Sequence, residues 1–360
     1  TMLGSDSHTP TAGGIGMIGI GVGGLDVALA LSGREFYLTA PGIIKVTLKN
    51  SRRDWVTAKD IILHILSILS TKGNVGKVLE YTGDISGLSV PERSTITNMG
   101  AETGVTTSIF ASDKETEKFL TAQGRGENYR ELLPDKNAEY EREIVIDLAE
   151  LKPLVACPHS PGNIKSVEEL EGIKVDQICI GSCTNSSYTD LMSVAQILKN
   201  KKIDKNISLI ISPGSKQVMN MLAENGALAD FISAGARIGE SVCGFCIGNG
   251  YSPNTNGISL RTINRNFYGR SGTLSANVYL VSPETAAIAA LTGELTSPEK
   301  SGIEFKRYSI PEKYNVDDSM IIKPLPDKER EKIEISRGPN IGDPPGNKPF
   351  PNIIDGIVTI

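Results

Sequence analysis

The sequence predicts an α/β protein with more than one core, and three observations carry that reading. Short apolar runs suited to buried strands alternate with helix-length runs, most regularly from Lys174 onward. At 360 residues and 39% hydrophobic content the chain outgrows a single core, because one core stops growing near ~250 residues. A cysteine, Cys183, falls just past the carboxyl end of a predicted strand, where open α/β sheets place their ligands.

In chain order, Ala12 to Gly24 interleaves glycine with Ile, Met and Val, a pattern for close backbone packing or for a turn beneath a ligand. Gly14, Gly16 and Gly19 match the GxGxxG spacing of a dinucleotide loop, with Glu35 where a ribose-binding acid would stand. No apolar strand precedes them, so the match is weak. Gly42 to Lys49 alternates as a strand, and Ala58 to Ser70 reads as an amphipathic helix capped near Thr57. Val175 to Ile180 and Ile207 to Ile211 read as buried strands. Asp190 to Lys199 and a run from Ser215 to about Glu224 read as helices, and Phe231 to Gly235 leads into a strand-like turn. From about Ser301, charges and prolines accumulate through Gly342-Asp343-Pro344-Pro345, the composition of a linker.

A formal charge of -5 argues against a nucleic-acid footprint, and the apolar stretches are too short to span a bilayer. Small molecules and proteins remain as partners, with no membrane. Five cysteines leave no even-numbered disulfide framework, which suits reduced thiols in a cytoplasmic setting. Cys183 in Gly-Ser-Cys-Thr-Asn and the pair Cys243 and Cys246 in Cys-Gly-Phe-Cys suit a four-iron cluster held by three thiolates, with one iron open for Lewis-acid chemistry. The same cysteines leave two alternatives open: a zinc site recruiting His8, His64, His159, Cys157 or Cys179, or plain buried thiols. Cys179, inside a predicted strand, reads as core, and Cys157 as a packed loop thiol.

Other side chains suit an anionic substrate. Arg265 and Arg270, in Asn-Arg-Asn-Phe-Tyr-Gly-Arg, could fork onto carboxylates, although loop arginines are commonly solvated. Asp6, Ser7 and His8 supply a carboxylate, a hydroxyl and an imidazole in succession, a set for proton transfer or simply a turn. Asn98 and Glu102 sit among small residues, and the bland reading of Glu102 is a carboxylate at a helix N-terminus.

Taken together, residues 4–10, 98–102, 181–187, 243–248 and 264–270 resemble the aconitase superfamily in order and approximate spacing, over residues 1 to about 295. The resemblance implies three-layer α/β/α domains around a 4Fe-4S cluster, and dehydration and rehydration of a hydroxy tricarboxylic or dicarboxylic acid. It implies Cys183, Cys243 and Cys246 as cluster ligands. Asp6 and His8 then bond the departing oxygen, Ser7 contacts substrate, and Arg265 and Arg270 clamp its carboxylates. Glu102 would act through a histidine expected upstream of residue 1, while Asn98 and Asn264 would donate to cluster or cysteine sulfur. The implied domains are 1–40, the end of a first α/β domain; 41–165, a second; 166–300, a third bearing the cysteines; and 301–360, a linker toward an absent swivel domain.

The chain departs from the family in two respects. The swivel domain and upstream catalytic groups have no counterpart in this sequence, so the chain is expected to be a fragment needing them in cis or in trans. Phe245 replaces the proline commonly found between the paired cysteines. Ser186 and Ser187 resemble true aconitases, so the first expectation is citrate and isocitrate isomerisation. Isopropylmalate or homoaconitate hydration is the second, and a noncatalytic RNA-binding module the third.

Overall fold

The computed structural model describes residues 1–334, 336–339, 342 and 346. The chain forms two compact units, Thr1–Val316 and Asp317–Ile360. Among the described residues of the second unit there is one short helix, Asp327–Arg330. Asp343, Pro344 and Pro345 of the expected linker lie outside the described residues.

Strands β1 (Met2–Gly4) and β2 (Gly19–Gly21) pair in parallel around a 3-10 helix at Thr9–Ile15, and helix α1 (Gly24–Leu31) follows. The glycine run serves packing rather than a phosphate. A Cβ on Gly13 would sit 1.9 Å from the Ser108 carbonyl oxygen, closer than any real contact.

Next come β3 (Gly42–Lys49), α2 (Ala58–Leu69), β4 (Lys77–Gly83), α3 (Val90–Gly100), β5 (Thr107–Phe110), α4 (Lys114–Ala122) and β6 (Arg142–Asp147). Their strands form a parallel sheet in the order β5-β4-β3-β6. Helix α2 begins where expected, with Thr57 and Asp60 closing a capping box. Its solvent face is narrow, with His64 half-buried and Ser67 and Ile68 exposed. Ile61, Ile62, Leu63, Ile65 and Leu66 are all fully buried, because the core that encloses α2 includes Val46 and Leu79 of one sheet and Val278 and Leu280 of the other.

The larger sheet uses β7 (Leu154–Ala156), β8 (Ile164–Ser166), β9 (Gln177–Ile180), β10 (Ser208–Ile211), β11 (Arg237–Ile238), β12 (Ile258–Arg261) and β13 (Asn277–Leu280). Its order is β11-β10-β9-β12-β13-β7-β8, parallel from β11 to β13 and antiparallel at β7 and β8. The expected domain boundary at 165 therefore falls inside β8. Helices α5 (Tyr188–Leu198), α6 (Lys216–Glu224), α7 (Ala227–Ala234) and α8 (Pro283–Thr292) accompany this sheet and fill a second core with its strands. Phe231 to Gly235, expected to lead into a strand-like turn, is the end of α7 closed by Gly235 at φ 108°, and the short strand β11 follows it.

Residues 303–316, expected to begin a linker, belong to the first unit. Phe305 meets the Trp55 ring at 5.1 Å, and the Tyr314 amide donates to the Ala122 carbonyl at 2.9 Å.

Candidate active site

Strand order reverses at β9. The chain leaves β9 toward β10 and β11 on one side, then returns to place β12 and β13 on the other, a topological switch point. Loops beyond the carboxyl ends of these strands carry the predicted groups: Cys183 after β9, Cys243 and Cys246 after β11, Asn264 and Arg265 after β12. The turn into Cys183 is unusual. Gly181 adopts φ 146° and Ser182 φ 85°, a conformation that a side chain at 182 rarely accepts. A Cβ on Gly181 would lie 2.6 Å from the Ser212 carbonyl oxygen and 3.1 Å from Phe245 Cζ. Phe245, the residue that departs from the family pattern, is buried and closes the wall beneath this turn.

Cys183 and Cys243 are exposed, whereas Cys246 is buried. Asn98, fully buried, donates from Nδ2 to Cys183 Sγ at 3.3 Å and to Thr11 Oγ1 at 2.8 Å. Its Oδ1 accepts from Thr184 Oγ1 at 2.9 Å and from Asn264 Nδ2 at 3.2 Å, and that same amide lies 3.5 Å from Cys183 Sγ. Burial pushes the Cys246 thiol up to about 12, the charges of Cys183 and Cys243 push the same way, and Arg261 and Arg270 oppose them. Loss of hydration raises Cys183 too, with Asp6 and Cys243 adding to it and the Asn98 hydrogen bond opposing.

Thiols that feel one another's charge hold together as thiolates when a metal centre neutralises them. Among the described residues no three His, Cys, Asp or Glu side chains close on a single-ion position. A polynuclear cluster spaces its thiolates more widely than one ion does. Three cysteines, amide donors aimed at sulfur, and a buried Arg270 Nε with no hydrogen-bond partner fit such a cluster beside an anionic ligand. Cys179, fully buried in β9 and pushed up to about 11 by burial, is core, and Cys157 is a packed loop thiol.

A second group adjoins the thiols. His8 Nε2 lies 2.8 Å from Glu102 Oε1, and Arg265 Nε donates to both oxygens of the same carboxylate at 2.8 and 3.1 Å. Arg265 Nη1 donates to Ser7 Oγ at 3.1 Å, Ser7 Oγ is 3.3 Å from His8 Nδ1, and the His8 amide donates to Asp6 Oδ1 at 2.6 Å. The histidine expected upstream of residue 1 as the partner of Glu102 is thus His8 itself, delivered by the turn after β1. Glu102 sits in a 3-10 turn at the carboxyl end of α3, not at a helix N-terminus. Arg265, expected to clamp substrate carboxylate, spends its Nε on Glu102. The serines expected to mark the substrate serve the backbone: Ser187 caps α5 with Asp190, and Ser186 Oγ donates to the Ser182 carbonyl.

Four contributors escaped the reading of the sequence: Thr11, Thr184, Lys59 and Arg261. Lys59 carried a signal, a charged pair with Asp60 inside an otherwise apolar helical run. The two threonines carried none, since a lone hydroxyl is indistinguishable from any cap or turn residue.

The aconitase family model (aconitate hydratase) matches residues 1–293. Among curated relatives, the 3-isopropylmalate dehydratase large subunit of Elusimicrobium minutum is 38% identical over 301 residues, covering 83% of this chain and 72% of that protein. Large subunit 1 of Thermotoga maritima is 41% identical over 303 residues, with 83% and 72% covered. Large subunit 2 of Archaeoglobus fulgidus is 39% identical over 300 residues, with the same coverage of 83% and 72%. With its switch-point thiols and this breadth of match, the chain belongs to the aconitase family of 4Fe-4S hydro-lyases.

Proposed function

We propose that this chain is the large, cluster-bearing part of a dehydratase of the isopropylmalate type, which moves a hydroxyl between adjacent carbons of a hydroxy dicarboxylic acid. The observation that carries the substrate reading is the printed name of the relatives, 3-isopropylmalate dehydratase large subunit at 38–41% identity. It displaces the first expectation, citrate isomerisation, whose support was Ser186 and Ser187. Both serines are occupied in holding α5 and its preceding turn.

Cys183, Cys243 and Cys246 would hold the 4Fe-4S cluster, which when bound supplies a Lewis acid that weakens the substrate's carbon–oxygen bond. Asn98 and Asn264 keep Cys183 oriented by donating to its sulfur. Glu102 fixes the Nε2 side of His8, so that Nδ1, on the side of Ser7 and Asp6, moves a proton to or from the departing hydroxyl. Arg265 and Arg270 bind substrate carboxylate, Arg265 with whatever donors Glu102 and Ser7 leave it and Arg270 through its unpartnered Nε. The base that takes the carbon-bound proton has no candidate among these groups. A complementary small-subunit-type chain, or a further segment of the same polypeptide, supplies it. No helix among the described residues is long and apolar enough to cross a membrane, and we assign the reaction to the cytoplasm, where such thiols stay reduced.

The test is anaerobic reconstitution with iron and sulfide, followed by iron quantification, EPR, and hydration assays with a complementary small subunit. Four irons, one of them labile, and turnover of isopropylmalate over citrate are expected. Cys183→Ser should abolish the cluster and Cys179→Ser should spare it. Stoichiometric zinc with no cluster would refute the mechanism, and preference for citrate would refute the substrate.

A further inference from the structure

We infer that Lys59, buried under the site and touching none of the three cysteines, is a positioning residue for the proposed cluster and substrate loops. This rests on the dehydratase reading of the site. Lys59 is the second residue of α2 and is 0% exposed. Its Nζ spends its three protons in three directions: on Asn185 Oδ1 at 3.2 Å, the Thr262 carbonyl at 2.9 Å and the Ile263 carbonyl at 2.8 Å. Asn185 lies in the loop that presents Cys183. Thr262 and Ile263 follow β12 directly and lead into Asn264 and Arg265.

One ammonium therefore ties together the two loops on either side of the switch point. An ammonium is a point charge with three donors, which suits two carbonyls and an amide oxygen arriving from separate segments. The anchor for this brace is rigid, since the neighbouring Asp60 accepts from the Thr57 amide and hydroxyl and from the Leu154 amide. Arg261 braces the remaining loop in the same manner. It is fully buried and donates to the Phe245 and Tyr251 carbonyls, which flank Cys246. A structural ion pair would meet a carboxylate. Lys59 meets carbonyl and amide oxygens on the loops that carry the site, and Arg261 ties its two loop carbonyls to Gln177 of β9 and Ser259 of β12, so each cation fixes loop backbone to the frame.

The experiment compares wild type, Lys59→Met and Asn185→Ala after anaerobic reconstitution, reading iron per chain, the EPR spectrum of the oxidised cluster, and thermal melting. Lys59→Met should still melt cooperatively yet hold roughly threefold less iron, with a broadened EPR signal, because hydrogen bonds from a charged donor are among the strong ones. Asn185→Ala, which removes one leg of the brace, should shift the same signals less. Unchanged iron and EPR in Lys59→Met, with only a lower melting temperature, would overturn the inference and leave Lys59 a fold residue. Should Lys59→Met fail to fold, Asn185→Ala decides by the same two readouts. Absence of a cluster in the wild type would instead refute the dehydratase reading, so the two failures are distinguishable.

Discussion

Replacing Glu102 by glutamine tests the proton-handling half of the site. The carboxylate is 3% exposed and accepts from His8 Nε2 at 2.8 Å and from Arg265 Nε at 2.8 and 3.1 Å. Both of its oxygens are acceptors, so His8 must present Nε2–H, which leaves Nδ1 facing Ser7. A glutamine has one acceptor and one donor end. His8 Nε2 and the shorter Arg265 Nε bond both land on Oε1, so the amide oxygen takes that place and the amide NH2 takes the Oε2 place, facing an Arg265 Nε–H that cannot accept from it. The Nε2–H tautomer is kept, but the negative charge that steadies a proton gained at Nδ1 is lost. Because the role assigned to Glu102 is indirect, a loss of about 10²- to 10⁴-fold in kcat is expected, with KM changing much less. Stability should fall by only about 1–3 kcal/mol, the difference between losing charge-assisted hydrogen bonds and no longer burying a charge. The assays are initial rates with the reconstituted enzyme and nitrogen-15 NMR of His8 in the cluster-free chain, where the tautomer is read directly. Near-wild-type turnover, or a changed tautomer, would refute the reasoning.

Two further predictions concern the frame around the site. Arg93, fully buried, donates to both oxygens of Asp113 at 2.8 Å and to the carbonyls of Leu88, Ala111 and Ile85. Arg93→Met should cost about 3–5 kcal/mol in denaturant unfolding, since it leaves three carbonyls without their donor and Asp113 with only the amides it caps at α4, and a loss below about 1 kcal/mol would contradict that. Glu284 is buried with Oε2 unpartnered, and burial pushes its carboxyl from 4.5 up to about 8. The folded state then keeps a proton that the unfolded chain has lost. The resulting stability is fully present below pH 4.5 and fades as pH rises toward about 8. Glu284→Gln should therefore match wild type near pH 4 and exceed it by about 1–3 kcal/mol near pH 8, whereas parallel stability curves at all pH would show the carboxyl to be ionised in the fold.

What the sequence by itself determined was local and periodic. Gly42–Lys49 as a strand and the start of α2 at Thr57 were legible because strand alternation and a capping box are written in neighbouring residues. The helix before Gly235 was missed because Ala227–Ala234 is short and its Phe and Ile also suit a strand. Within the site, chemistry was legible wherever a rare residue type carried it: three cysteines, an Asp-Ser-His run, two closely spaced arginines.

Partnership was not legible in that way. His8 and Glu102 are neighbours only because the turn after β1 and the end of α3 meet in space. Ser186 and Ser187 pointed to citrate, away from the names of the relatives, because a serine that caps a helix and a serine that contacts a ligand read alike in one dimension. Lys59 shows the same limit most clearly. A lysine at the head of an apolar helical run signals that something compensates it, but its hydrogen-bond partners lie on loops more than a hundred residues away, beyond anything local spacing encodes. Only the packing of α2 between two sheets brings that ammonium to the two loops it joins, because burial forbids an unpaired charge and leaves loop oxygens as its available partners.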